Sequence, residues 1–293
     1  MVLEVANYYL KKGTPIVCTL FDCSKAFDKC KFSVLFQKLL DRKVPPIVIR
    51  VLIFIYEEPE GCVRLAGVLS SSFRITNGTR QGSVLSPTLF SLYLNDLLET
   101  LRMKGLGCHV AGVWVGAAGY ADDLFLLAPT RETMSRMLKV CANCAAIHNL
   151  VFSTDVNPFK SKTKCIFMNG KKGNELPNGV PKPLELYWKN LPWVPYATHL
   201  GHELHQSCTM EFDCRIKRAK FIDSSLEIRD TFSFAHPNQI LTAVQMYSLH
   251  CYGSMLWDFG DESMGKFCRS WTTCVKLCNR VTRSTHTYFV ENL

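Results

Sequence analysis

Three aspartates stand where apolar sequence gives way. Asp22 follows the run 16–21, and Asp122-Asp123 separate the apolar stretches 113–120 and 124–128. Read singly, each is an ordinary cap or turn residue. If the strands that carry them are neighbours, two or three carboxylates meet at one end of a sheet. Like charges resist that arrangement unless cations neutralise it, because each anion raises the pKa of the other. Mg²⁺ suits such a rim, since it takes oxygen from one or two carboxylates and completes its octahedron with water and phosphate. Two such ions about 4 Å apart activate an attacking oxygen and stabilise a leaving one in phosphoryl transfer.

The elements that must hold these acids are mixed α and β, without an internal repeat. Residues 16–21 are β-branched and aromatic and predict a buried strand presenting Asp22 at its end. Helices are expected at 32–43 and, after Pro45-Pro46, to about 58. Short strands follow at 62–65 and 73–76, and Asn77-Gly78 marks a turn. Ser86-Pro87 reads as N-cap and first position of a helix to about 103, carried by Leu89, Phe90, Tyr93, Leu94, Leu97 and Leu101. The stretches 113–120 and 124–128 predict a hairpin with Ala121, Asp122 and Asp123 at its tip. A helix at 130–149 and a strand at 163–168 come next, then a loop at 170–195 rich in Gly, Pro, Asn and Lys. Helices at 210–232, 237–259 and 264–281 form a helical appendage to an α+β core, with the boundary near 205.

Composition narrows the partners. The 293 residues are 47% hydrophobic and 20% charged, which excludes a disordered or collagen-like chain. A formal charge of +9 suits a polyanion, yet the halves at Leu150 carry 17 basic and 12 acidic residues, then 17 and 13, so neither is a tail. The longest apolar run, 47–56, contains Arg50 and is too short for a membrane span of about 20 residues. Glu4 stands where a signal peptide carries positive charge, so an intracellular site, nuclear or cytoplasmic, is expected. The 14 cysteines are then expected as reduced core residues. Cys141 with Cys144, and Cys268, Cys274 and Cys278 with His286, match no paired zinc-finger spacing.

Five segments in order and spacing carry a resemblance. FDCSKAFD at 21–28, NGTRQGSVLSPTLFSLYLNDL at 77–97 and GYADDLFLL at 119–127 resemble the first three palm motifs of reverse transcriptases. KSKTK at 160–164 and HLG at 199–201 resemble the two that follow. KAFD with TRQGSVLSP has the flavour of non-LTR (LINE-like) retrotransposon polymerases. The resemblance implies an α+β fold: a polymerase palm, an antiparallel sheet backed by helices, with a remnant of the fingers at 1–205. A helical thumb-like region at 206–293 follows.

Residue by residue, it implies that Asp22 and Asp122 hold two Mg²⁺ ions, with Mn²⁺ as a substitute, and that Asp123 supports them. Phe27 matches the aromatic steric gate that excludes a ribonucleotide's 2′-hydroxyl. Arg80, Gln81 and Gly82 match residues lining the incoming nucleotide. Lys162 is the best match to a proton donor to pyrophosphate, with Lys160 and Lys164 as the alternatives beside it. Leu200 and Gly201 match the primer-grip turn. Downstream, Arg215, Lys217, Arg218 and Lys220 on one helix, and Arg269, Lys276, Arg280 and Arg283 on another, are candidates to neutralise phosphate. The implied activity is RNA-directed DNA polymerisation from a deoxynucleoside triphosphate onto a DNA primer over an RNA template. Two rivals stand beside it. One is a non-catalytic, co-opted fragment that at most binds nucleic acid, since most of the fingers and any endonuclease are expected to be missing. The other is an RNA-dependent RNA polymerase, against which YADD and Phe27 argue.

Overall fold

Six consecutive buried residues, Ile16 to Phe21, make a strand that water reaches on neither face. Such a strand must lie inside a sheet with both faces covered. The computed structural model describes residues 1–293 except 24–25, 58–59, 80–81, 156, 158–160, 172–181, 250–251, 255–256, 258–259, 283 and 286–293. Contacts divide the chain into two compact units, Met1–Pro195 and Tyr196–Leu293.

In the first unit, α1 (Val2–Leu10) precedes β1 (Ile16–Asp22). A 3₁₀ turn (Phe27–Lys29), α2 (Phe32–Asp41) and α3 (Pro46–Glu57) follow. Two small antiparallel pairs come next, β2 (Glu60–Gly61) with β5 (Phe73–Arg74), and β3 (Arg64–Leu65) with β4 (Val68–Leu69). Then α4 (Ser86–Met103) leads to a hairpin of β6 (His109–Val110) and β7 (Val113–Trp114). The strands β8 (Ala117–Tyr120) and β9 (Asp123–Ala128), the helix α5 (Arg131–Ile147) and β10 (Lys164–Met168) complete the main body. Four strands pair antiparallel in the order β10-β1-β9-β8. One core joins this sheet to α2, α4 and α5 through Phe90, Tyr93, Leu97, Leu126, Met134 and Leu138 among others. Thr130 caps α5, its side chain accepting from the Thr133 amide.

Several expectations need correcting. Val113–Trp114 pairs with His109–Val110, not along the 117–128 hairpin. Leu85, not Ser86, occupies the N-cap of α4, with no side-chain cap; Ser86 and Pro87 are already helical. The loop expected at 170–195 contains a hairpin, β11 (Leu184–Leu186) with β12 (Lys189–Leu191).

The second unit opens with a hairpin, β13 (Tyr196–His199) and β14 (His202–His205), ahead of α6 (Glu211–Thr231), α7 (Pro237–Tyr247) and α8 (Glu262–Cys278). The boundary expected at 205 lies after this hairpin, and the contact division lies before it. The α7 helix ends at Tyr247, twelve residues short of the expected 259. Phe221, Ile240, Val244, Trp257 and Phe267 form this unit's own core.

Candidate active site at the rim of the sheet

Register brings the acids together. Asp22 ends β1 directly opposite Asp123, the first residue of β9, and Asp123 in turn opposes Tyr120 of β8. The turn is therefore Ala121-Asp122 alone, with Ala121 at φ 54, and Asp123 belongs to the strand rather than to the tip. Opposed residues of an antiparallel pair share a face, with Cβ atoms about 5 Å apart. All three side chains are half-buried.

Cys23, one residue past Asp22 and buried, has its pKa pushed up to about 11. Burial is the main cause. A backbone hydrogen bond from Val151 and the charge of Lys29 oppose it, while Asp122 and Asp22 push it further up. Cys23 is a buried free thiol, as expected of a core cysteine.

Lys162 reaches the same rim from the segment before β10. Ser161 and Thr163 are buried, and the Ser161 hydroxyl donates to the Thr163 carbonyl at 2.6 Å. Between these two anchors Lys162 projects outward, its Nζ 3.5 Å from Asp22 Oδ1. Lys164 lies within β10 opposite Leu20, and Lys160 lies outside the described residues.

Phe27 sits at the start of the 3₁₀ turn that follows β1. Its half-buried ring packs against the fully buried Phe90 of α4, centroids 5.0 Å apart. Its carbonyl accepts from the Thr79 amide at 2.7 Å. Gly82 is exposed at φ 84, and no atom of the described residues lies within 4 Å of where a Cβ would stand. Arg80 and Gln81 lie outside the described residues.

Leu200 and Gly201 form the turn of the second unit's first hairpin, at φ 48 and 75. Positive φ at both turn positions matches the right-handed twist of the flanking strands. Behind the turn, Asp213 of α6 is wholly buried. It accepts from the Glu203 amide, the Trp257 indole and Lys217 Nζ, each at 2.9 Å, with His202 Nδ1 at 3.3 Å. Burial pushes the Asp213 pKa up, but the Glu203, Trp257 and Lys217 hydrogen bonds outweigh it and hold the carboxyl below its usual range. Lys217 is thus committed to a buried pair rather than to a phosphate, correcting the expectation for the helix, while Arg215 and Lys220 remain exposed. Lys276 is buried, Arg280 donates to the Ser233 carbonyl, and Arg283 and His286 lie outside the described residues.

The donor set fits Mg²⁺. Among the described residues no three of His, Cys, Asp and Glu converge to hold a metal. Asp22 and Asp123, opposed at the rim, present hard carboxylate oxygens of the kind that hold Mg²⁺ with water and phosphate in the remaining positions. No helix among the described residues is long and apolar enough to cross a membrane.

Known proteins share this sequence in part. The chain is 31% identical over 134 residues to a Pol polyprotein of the type-2 retrotransposable element R2DM of Drosophila melanogaster, covering 46% of this chain and 13% of that protein. It is 29% identical over 119 residues to a Pol polyprotein of a type-1 retrotransposable element R2 of Nasonia vitripennis, covering 41% and 12%. A 149 kDa transposon TX1 protein of Xenopus laevis is 25% identical over 163 residues, covering 55% and 12%. The chain thus spans about an eighth of the length of these relatives. Among solved structures, telomerase of Candida tropicalis aligns at TM-score 0.46 and 14% identity, covering 71% of this chain and 38% of that one. Telomerase of Candida albicans aligns at TM-score 0.46 and 11% identity, covering 99% and 50%. Residues 3–203 match the family described as reverse transcriptase (RNA-dependent DNA polymerase), more than half of the chain, and the protein belongs to that family.

Proposed function

We propose that this chain is the polymerase palm of a non-LTR retrotransposon protein, with a helical, thumb-like second unit. It transfers a deoxynucleotide to a primer 3′-hydroxyl on an RNA template. The observation that carries the reading is the pairing of Asp22 with Asp123 at one sheet rim, next to Asp122 in the turn, across 101 positions of sequence. Membership of the family and the likeness to R2 proteins support it.

Asp22 and Asp122 are the residues that would hold the divalent ions, and Asp123 supports them. When bound, these ions supply the Lewis acidity that activates the 3′-hydroxyl and stabilises departing pyrophosphate. The chain's own residues do the rest. Lys162, beside Asp22, delivers a proton to the leaving oxygen. Phe27 excludes a 2′-hydroxyl from the sugar site. Arg80, Gln81 and Gly82 line the nucleotide, and Arg80 is suited to a bidentate grip on phosphate. Leu200 and Gly201 hold the primer end, since in-line attack tolerates little misplacement.

Primer extension by the purified chain, with an RNA template, Mg²⁺ and deoxynucleotides, tests this against Asp122→Asn. Incorporation at least about a hundredfold above the variant is expected, as loss of a direct metal ligand should cost no less than loss of a supporting one. No incorporation above Asp122→Asn would overturn the reading for this chain and leave a nucleic-acid-binding fragment, which a duplex-binding titration of the same sample would register.

A further inference from the structure

The backbone turn that carries Phe27 is gripped from a segment some fifty residues away. Gly78 donates its amide to the Cys30 carbonyl at 2.9 Å, and Thr79 donates to the Phe27 carbonyl at 2.7 Å. These two bonds bracket the 3₁₀ turn at both ends. Gly78 is buried at φ 99, and a Cβ there would stand 2.9 Å from Asp28 Cα, 3.1 Å from Asp28 O and 3.1 Å from Phe27 O. Those obstacles are all backbone atoms, so no side chain can swing aside to make room. Thr79 is 3% exposed, and its hydroxyl finds no hydrogen-bond partner among the described residues. A polar group buried without a bond costs stability. The segment is therefore seated deeply to bring its amides, not its side chains, to the turn. From the other side Phe90 supports the ring at 5.0 Å.

We infer that Gly78 and Thr79 are positioning residues for Phe27: they fix how far its ring stands into the sugar site and thereby set discrimination between deoxy- and ribonucleotides. The inference rests on the polymerase reading above. A steric gate works by contact at van der Waals range, so a displacement of a few tenths of an ångström in its backbone changes what it rejects. Side-chain contacts of Phe27 alone would leave the turn free to slide along Phe90. The two amide bonds remove that freedom, and the absence of a Cβ at residue 78 allows the approach that makes them.

The test compares kcat/KM for deoxy- and ribonucleotide incorporation in wild type, Gly78→Ala, Phe27→Ala and Leu126→Ala, with far-UV circular dichroism and melting as controls for folding. Gly78→Ala should lower the deoxy-to-ribo ratio by about tenfold or more, mainly through KM for the ribonucleotide, in the same direction as Phe27→Ala. Leu126→Ala, a core lesion away from the turn, should lower activity without moving the ratio. An unchanged ratio in Gly78→Ala, or in Phe27→Ala, would overturn the inference while wild-type incorporation left the polymerase reading standing. No wild-type incorporation would instead overturn the polymerase reading and this inference with it. If Gly78→Ala does not fold, amide hydrogen exchange of the wild type decides: the Thr79 amide should be protected as well as those of β1, and loop-like exchange would refute the grip.

Discussion

Asp213 and Cys23 show how differently two buried titratable groups are handled in this chain. Asp213 meets three hydrogen-bond donors at 2.9 Å, so its charged form is favoured in the folded state despite burial. Its folded pKa lies below the unfolded one. The stability it contributes is therefore present above the ordinary carboxylate pKa of 3.8 and is lost as pH falls through the lower folded value. Urea midpoints measured between neutrality and strong acid should fall in that window for wild type and stay flatter for Asp213→Asn. Removing the partner instead leaves a buried charge uncompensated, so Lys217→Met should destabilise the second unit by about 3–5 kcal/mol. Cys23 has the opposite shift and stays a thiol at neutral pH. Among the described cysteines, alkylation followed by mass spectrometry should find the exposed Cys62 and Cys268 modified first, with Cys23, Cys141 and Cys165 reacting only on unfolding.

At the scale of elements, β9 matters most because it bears Asp123, abuts the Asp122 turn and lies between β1 and β8. Leu126 is wholly buried there, opposite Thr19 and Ala117. Leu126→Ala should cost about 2–5 kcal/mol in denaturant unfolding of the first unit. This strand and β1 were legible in the sequence because uninterrupted apolar runs ending in acids have few other solutions, and the motifs placed the acids before any register was known. The β11 hairpin was not legible. Its turn is Tyr187-Trp188, at φ 53 and 62, where the pattern of such turns leads one to look for Asn or Gly. Lys217 was misread for a related reason. Charge at helical spacing says nothing of which face is buried, and here Asp213 one turn earlier draws the lysine inward. The α7 helix was read too long because its apolar pattern continues past Ser248, which is fully buried and bonds Ser224 across to α6.

The molecule as a whole consists of two units with separate cores that share no residue. Each should report its own lesions: in residue-resolved hydrogen exchange under denaturant, Leu126→Ala should lower protection in β1 and β9 while sparing α6, and Lys217→Met should do the reverse. The central sheet has a further consequence. Every ladder bond of β1 is made to residues 123–128 or 164–168, more than a hundred positions later. On the ribosome, the strand that ends in Asp22 must wait, apolar on both sides, until roughly 150 more residues have emerged. Pairing over such separations is slow, and exposed strand edges invite association in the interval. Synthesis of this chain therefore carries a window of roughly 8–30 seconds, at about 5–20 residues per second, in which a wholly buried strand is exposed to association.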